Sequence, residues 1–164
     1  MTQIVYNDSL SRVQVKFSRA ASQAPQIFLA ALERVSTELV RYVKTQKIHG
    51  QVLHQRSGKL SRSIDSRVTS EGGLIEGIVG SIKGGAPHAL PLEVGSKPHI
   101  IRPVRAKALH FMGLNADGEV TDIFRRSVMH PGNKPYRYLQ SSLQENRAHI
   151  VHALSNAGMK GITK

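Results

Sequence analysis

Histidine is the residue type in this chain best suited to hold a metal ion, and it occurs eight times. His149 and His152 are three residues apart, a spacing that places two imidazoles on one face of a helix. His99 and His110 flank a basic segment and could approach one another. Two imidazoles do not complete a metal site without further ligands, and the chain has no cysteine to supply a thiolate. We therefore predict surface or lightly buried histidines, no metal site and no cofactor.

Nucleophilic catalysis would need a serine with a base and an orienting acid beside it. The chain has no Gly-x-Ser-x-Gly elbow and no phosphate-binding glycine loop of the Walker or dinucleotide type. Glu93 is the acid that stands out, because it lies in the apolar run from Leu90 to Val94. A partly buried glutamate there is expected to accept hydrogen bonds from backbone N–H groups or to pair with an arginine. We predict no catalytic residues and no enzymatic activity.

The basic residues offer a third kind of chemistry, since 23 Lys and Arg against 11 Asp and Glu give a formal charge of +12. Residues 41–62 contain six basic side chains and no acid. Such a field favours a polyanion or an acidic protein, although charge alone carries no sequence specificity. The alternative is a solvated surface that keeps the protein soluble. The candidate contacts are Arg56, Lys59 and Arg62 in this segment, and Arg102, Arg105 and Lys107 in a later turn.

Composition limits the remaining classes of protein. A chain of 164 residues that is 40% apolar is long enough to bury a core. The beginning lacks a basic stretch followed by an apolar run, so no signal peptide is expected. The longest apolar run, residues 27–32, is too short to span a membrane.

The elements that would position these residues follow from periodicity. Residues 13–17 alternate as a strand does. A helix of about six turns is predicted from an entry near Pro25, because apolar side chains recur at helical spacing as far as Val43. Residues 47–60 are predicted to form a polar loop, and residues 62–82 a hairpin around Gly72-Gly73.

The second half is predicted to hold a short helical turn at residues 88–94 and three strands, at 100–103, 108–114 and 120–124. A final helix is predicted to open at Asn133, with Pro135 in its first turn, and to end at Gly158. Its apolar face comprises Leu139, Leu143, Ile150 and Leu154.

This order predicts an α+β fold, in which an antiparallel sheet packs against a long helix from the N-terminal half and a C-terminal helix. No repeat or linker is visible, so a single domain over residues 1–164 is predicted. Residues 1–20 would form an N-terminal arm or strand, and residues 159–164 a flexible tail.

Three short motifs occur in a fixed order along this framework. The first runs from Ser57 to Ile64 and contains Gly58 and Leu60; the second runs from His88 to Ser96 and contains Glu93 and Gly95. The third is His130-Pro131-Gly132-Asn133-Lys134-Pro135-Tyr136. Glycine suits turns with unusual backbone angles, and proline fixes the entry of a helix. We interpret eight residues as fold determinants: Gly58, Leu60, Glu93, Gly95, His130, Pro131, Gly132 and Pro135.

Together these motifs resemble those of the tailed-phage minor tail or tail-completion proteins, which join the tail to the head. That family shows Thr-Gly-x-Leu-x-x-Ser-Ile, then Tyr-Ala-x-x-x-Glu-x-Gly-Thr, then His-Pro-Gly-x-x-Pro before an aromatic residue and a closing helix. Here serine stands for threonine at Ser57 and Ser96, and His88 stands for tyrosine. The resemblance covers about residues 25–155.

The resemblance implies a structural virion protein of the neck or upper tail, assembled in the host cytoplasm. It implies a homo-oligomeric ring through which the genome passes, of six subunits by analogy with tail symmetry, with twelve as the alternative. Its partners would be the head connector or stopper and the tail tube or tail terminator, with non-specific contact to phage DNA. A sequence-neutral nucleic-acid-binding protein is the alternative, and it would show binding that weakens steeply with salt.

Overall fold

The computed structural model describes residues 2–7, 10–16, 24–49, 53, 58–82 and 85–162. The chain forms two compact units, one of residues 1–94 with 135–164 and the other of residues 95–134. The predicted α+β class is confirmed, with an antiparallel sheet, a long helix in the N-terminal half and a C-terminal helix. None of the described helices is long and apolar enough to cross a membrane. The prediction of a single domain over the whole chain stays a prediction.

The first unit contains a four-stranded antiparallel sheet in the order β1-β2-β4-β3. Its strands are β1 (Thr2–Asn7), β2 (Leu10–Lys16), β3 (Ile64–Glu71) and β4 (Leu74–Ser81). The predicted hairpin is the β3–β4 pair, and Gly72 and Gly73 turn it with φ values of 58° and 80°. Glycine is favoured there because other residues rarely adopt positive φ.

Helix α1 (Ala24–Tyr42) continues into a π-helical turn at Val43–Ile48. The apolar stripe seen in the sequence buries Leu32, Val35 and Leu39, and the helix packs on β3 and β4. Gly77 of β4 permits the close approach, since a Cβ there would lie 3.0 Å from the Ser36 hydroxyl oxygen and 3.1 Å from Leu32 Cγ.

The first unit also contains two short helices, α2 (Lys59–Ser63) and α3 (Ala89–Val94). Helix α4 (Tyr138–Glu145) belongs to the same unit. Helix α5 (Arg147–Ile162) follows after Asn146 and packs on α1. The predicted apolar face is confirmed, because Leu139, Leu143, Ile150 and Leu154 are all buried in the core. Helix α3 confirms the short helical turn predicted at residues 88–94.

The prediction of one final helix was wrong, because the segment forms two helices, α4 and α5, separated at Asn146. The first of them begins at Tyr138 rather than Asn133, because Arg137 has a left-handed backbone (φ 49°, ψ 37°) and Asn133 pairs as a β-bridge with Ser96. Pro135 therefore lies before the helix rather than in its first turn. Gly158 does not end the helix either: the Phe28 ring lies 2.9 Å from where its Cβ would be, so this glycine serves packing against α1.

The second unit is built from two separate two-stranded ribbons. Strand β5 (His99–Ile101) pairs with β8 (Val128–His130), and β6 (Leu109–Leu114) pairs with β7 (Val120–Arg125). The three predicted strands are thus confirmed, and β8 is an addition. Asp117-Gly118 lies in the β6–β7 turn as predicted, where the Asn115 side-chain oxygen accepts the N–H groups of Asp117 and Glu119.

Candidate assembly surface

The Glu93 carboxylate caps the N-terminus of helix α4. It is 6% exposed, and its two oxygens accept the backbone N–H groups of Leu139 at 2.8 Å and Gln140 at 2.9 Å. The first N–H groups of a helix have no partner inside the helix, and a negative charge there also favours the helix dipole. The expectation that Glu93 accepts backbone N–H groups is therefore confirmed, and its role is structural.

Backbone bonds reinforce this junction. The Tyr136 N–H donates to the Leu92 carbonyl at 2.9 Å, and the Arg137 N–H donates to the Glu93 carbonyl at 3.1 Å. The buried Tyr138 hydroxyl donates to the Ala89 carbonyl at 3.3 Å. Burial, together with the nearby Glu93, raises the pKa of Tyr138 well above its ordinary value, so the phenol stays neutral. The second motif and the end of the third are thus held together; we call these contacts the Glu93 clamp.

The first motif makes a buried corner. Gly58 has φ 67° and directly precedes α2, whose Leu60 side chain is buried, as is Ile64 just after the helix. The Ser63 hydroxyl donates to the Leu60 carbonyl at 2.8 Å and accepts from the Ser81 hydroxyl at 2.8 Å. These residues order the entry of β3 and carry no exposed reactive group.

The third motif forms a tight turn within the second unit. The Gly132 N–H donates to His130 Nδ1 at 3.0 Å, and the Ser96 hydroxyl donates to the Asn133 side-chain oxygen at 2.5 Å. Gly132 has φ 81°, and a Cβ there would collide with the Ser96 carbonyl oxygen. Gly95 has φ 85° and leads into the same bridge. Pro131 is exposed beside them.

The predicted basic contact residues divide between the two units. Lys59 and Arg62 are exposed and three residues apart on α2, while Arg56 lies outside the described residues, as does half of the predicted loop at 47–60. The predicted bounds of that loop were wrong, because residues 47–48 belong to the π-helical turn and residues 59–60 to α2. Arg102, Arg105 and Lys107 are exposed between β5 and β6. The five described residues of these two sets are exposed, and both sets stay candidates for contact with a partner.

Four of the described histidines each contact another histidine or an acidic side chain. His149 bonds Glu38 at 2.8 Å, His99 stacks on His130 with ring centres 5.0 Å apart, and His110 bonds Asp122. Within the described part of the chain, no three His, Cys, Asp or Glu side chains are grouped so as to hold a metal ion.

The feature that sequence reasoning missed is the exposed apolar surface of the second unit. All of residues 95–134 are described, and none of them is buried. Nine of the fourteen large hydrophobic side chains that are exposed in the described residues belong to this unit: Ile100, Ile101, Val104, Phe111, Met112, Leu114, Val120, Phe124 and Met129. Exposed apolar surface concentrated in this way is typical of surfaces that contact another protein, a membrane or a ligand.

One face of the β6–β7 ribbon gathers four of these side chains. Met112, Leu114, Val120 and Phe124 are each 60–68% exposed. The strand register places them on the same side, since residues directly opposite in the ladder, such as Leu114 and Val120, point to one face. We call these four residues the ribbon face. Full burial of one such side chain is worth about 1.5–3 kcal/mol.

The opposite face of the ribbon is less exposed, and its most exposed large hydrophobic side chain, Phe111, is 39% exposed. There Phe111, Gly113 and Ile123 lie together, and the Ile123 Cδ1 atom occupies the space in which a Gly113 Cβ would stand. Leu109 and Ile123 are only partly exposed. The ribbon face is therefore the side of the ribbon on which large hydrophobic side chains are most exposed.

Comparisons of the chain with protein-family models, curated proteins and solved structures find no match. Two features of the described residues bear on function. The three motifs hold turns and a helix start in place, and the second unit exposes apolar side chains to solvent.

Proposed function

We propose that this protein is a structural component of the neck or upper tail of a tailed phage. In this role it forms a ring of six subunits that completes the tail and joins it to the head connector, with the genome passing through it. The proposal rests on the three-motif resemblance and on one observation from the structure, namely the unburied second unit.

That observation favours assembly over an independent binding or catalytic role. Two-stranded ribbons are marginally stable by themselves in water. Residues 95–134 have two such ribbons and no buried side chain, whereas the core residues all lie in the first unit. A surface of this kind is best accounted for by a neighbouring subunit that covers it. In a closed ring, one patch of each subunit meets a different patch of the next.

The motif residues fit a non-catalytic role. Glu93, the acid that stood out in the sequence, has both carboxylate oxygens engaged by backbone N–H groups. Gly58, Gly95 and Gly132 occupy positive-φ turns. We infer that these residues maintain a scaffold, and that function lies in the surfaces that meet the connector or stopper and the tail tube or terminator.

The direct test is the copy number and position of the protein in purified virions, by quantitative mass spectrometry and by electron microscopy with a labelled chain. We expect about six copies per particle, as tail symmetry requires for one ring, at the neck or tail top. Absence from the particle would refute the proposal.

A second test addresses Arg56, Lys59 and Arg62, which we call the basic strip. Replacing Arg56, Lys59 and Arg62 with glutamate is expected to leave the chain folded but to make heads and tails accumulate unjoined. The matched control is the triple replacement with glutamate at Arg41, Arg67 and Arg147, which are exposed in the first unit and change the net charge equally. Normal yields of infectious particles from the first variant would refute a contact role for that strip.

Sequence-neutral binding of nucleic acid is the second candidate, and a specific observation favours it. All seven basic side chains of residues 95–134 are exposed, and the three acids of that segment lie between residues 117 and 122. Binding of this type would weaken by orders of magnitude as salt rises, because counterions are released. A salt titration of duplex DNA binding tests it, and salt-independent or absent binding would exclude it.

A further inference from the structure

The ribbon face is flanked by charges of opposite sign. Asp117 and Glu119 are exposed at the turn, which we call the ribbon tip. Lys107 and Arg126 are exposed at the other end, which we call the ribbon base. Six residues of strand separate tip from base, about 20 Å at the usual rise per residue. That distance exceeds the Debye length in physiological salt, about 8 Å, so each end acts as a separate charge.

This pattern is complementary to itself in one orientation. If two ribbons meet face to face and antiparallel, each acidic tip lies over the basic base of the other copy. A parallel arrangement would instead bring like charges together at both ends, which is strongly unfavourable at an interface. The antiparallel arrangement has two-fold symmetry, so one patch on each chain satisfies both.

The apolar side chains match in the same orientation. Near the base, the Phe124 and His110 rings stack with centres 4.7 Å apart. Near the tip, Leu114 and Val120 are paired across the ladder. An antiparallel partner would place its stacked rings over this aliphatic pair, and the reverse contact would form at the other end.

One polar pair lies on the same side of the strands as the ribbon face, and its two members are hydrogen-bonded to each other. His110 Nε2 and Asp122 Oδ1 are hydrogen-bonded at 2.5 Å, and both side chains lie on the same side as Met112. A polar group that enters a contact with its partner already in place costs less to bury than an unpaired one. The ribbon face can therefore be covered without leaving this carboxylate unpaired.

We propose that the occupant of the ribbon face is the ribbon face of a second copy of this chain, paired antiparallel, tip to base. The pair covers the apolar surface before the subunit enters its final assembly. Its role as a pre-assembly form rests on the proposed function, but the contact itself does not.

The test uses charge reversal in the full chain. The tip variant is Asp117→Lys with Glu119→Lys, and the base variant is Lys107→Glu with Arg126→Glu. Each variant alone would present like charges at both ends of the contact. In a mixture, the tip variant is positive at both ends and the base variant negative, so antiparallel heterodimers regain every attraction.

Sedimentation equilibrium provides the measurement. We expect the wild type to dimerise, each variant to dissociate at least about thirtyfold more readily, as loss of a hot spot would produce, and the equimolar mixture to recover the dimer. Glu33→Lys with Glu71→Lys is the control, because both are exposed acids of the first unit and the net charge changes as in the tip variant. It is expected to dimerise like the wild type, with circular dichroism reporting the fold of every chain.

Three results would overturn the inference: a wild type that stays monomeric at all concentrations, single variants that dimerise like the wild type, or a mixture that fails to recover. A base variant that loses only DNA binding while keeping its dimer would likewise overturn it and assign the base to a polyanion. Met112→Glu tests the apolar part, and unchanged dimerisation in that variant would also count against the inference.

The orientation has its own measurement, because the chain lacks cysteine. Chains that carry either Asp117→Cys or Arg126→Cys are expected to form a mixed disulfide when combined and oxidised. Preferential tip-to-tip disulfides would contradict the antiparallel pairing. A dimer of this kind in a protein absent from virions would refute the proposed function alone. A monomer that is present in virions would refute the dimer alone.

Discussion

Replacement of Glu93 by glutamine tests the Glu93 clamp at a single pair of atoms. The two side chains have nearly the same shape, but an amide offers one oxygen where the carboxylate offers two. Only one of the N–H groups of Leu139 and Gln140 can then be accepted, and the amide NH2 group faces the other. The change therefore isolates hydrogen bonding and charge from packing.

The expected loss can be worked out from these contacts. An unpaired buried N–H costs about 1–3 kcal/mol, and the remaining bond weakens by about 1 kcal/mol when its acceptor is no longer charged. Together these predict that the free energy of unfolding falls by about 3 kcal/mol. For a chain of this size the melting temperature should fall by roughly 6–12 °C.

Urea unfolding followed by circular dichroism measures this loss, with an unchanged slope showing that the unfolded state is unaffected. The control is Glu71→Gln, since Glu71 is exposed at the end of β3. We expect the control to change stability by less than about 0.5 kcal/mol. If Glu93→Gln lowers the free energy of unfolding by no more than the control does, the carboxylate does not stabilise the fold by capping helix α4.

Two further predictions concern other contacts. Lys47 donates to Glu145 at 2.7 Å and lowers the pKa of that carboxyl, with help from the Tyr42 hydroxyl. A lowered pKa stabilises the fold above the ordinary value of 4.5 and loses this effect as the pH falls through the folded value. Lys47→Met should therefore reduce the free energy of unfolding by about 1 kcal/mol near neutral pH, a modest loss because Glu145 is partly exposed. Gly132→Ala should destabilise its turn by roughly 2 kcal/mol and speed exchange of the Asn133 amide hydrogen roughly thirtyfold.

Each of these has its own check. Urea unfolding well below pH 4.5 should show the deficit of Lys47→Met shrinking, and a deficit independent of pH would mean that the ion pair is not its cause. Gly118 is the control for Gly132, because it has φ 82° but no atom within 4 Å of its Cβ position. Equal effects of alanine at both glycines, by hydrogen exchange, would show that the Ser96 carbonyl is not the obstacle.

Sequence patterns predicted a helix or a turn correctly where residues close together in the sequence determine it. The helical stripe that buries Leu32 and Leu39 and the glycine turn between β3 and β4 both depend on neighbours in sequence. The start of the last helix was predicted too early, because Pro135 was placed in its first turn although a contact with a residue distant in sequence holds this segment outside the helix. Asn133 pairs with Ser96, 37 residues away, and that pairing cannot be read from the segment itself.

The candidate surface was missed for a related physical reason. Met112, Leu114, Val120 and Phe124 alternate as the buried side of a strand does, so their pattern indicates a strand but not what covers it. Exposure depends on which elements pack nearby, and none buries this side of the ribbon. For Glu93 the kind of bond was predictable, but the identity of its donors was not, because they lie 46 and 47 residues further along.

The Glu93 clamp has a consequence for how such a chain can change over evolution. Leu92 and Glu93 are bonded to Tyr136 and Arg137, so the chain leaves the first unit and returns to it at adjacent points. The segment between these points is a loop whose two ends are held together by the backbone hydrogen bonds of the Glu93 clamp. Lengthening such a loop costs little conformational free energy, about 0.6 kcal/mol per doubling of its length. This loop can therefore be extended, shortened or exchanged while the helices and the four-stranded sheet of the first unit keep their structure. A lineage could acquire new docking specificity by grafting a different ribbon at this point.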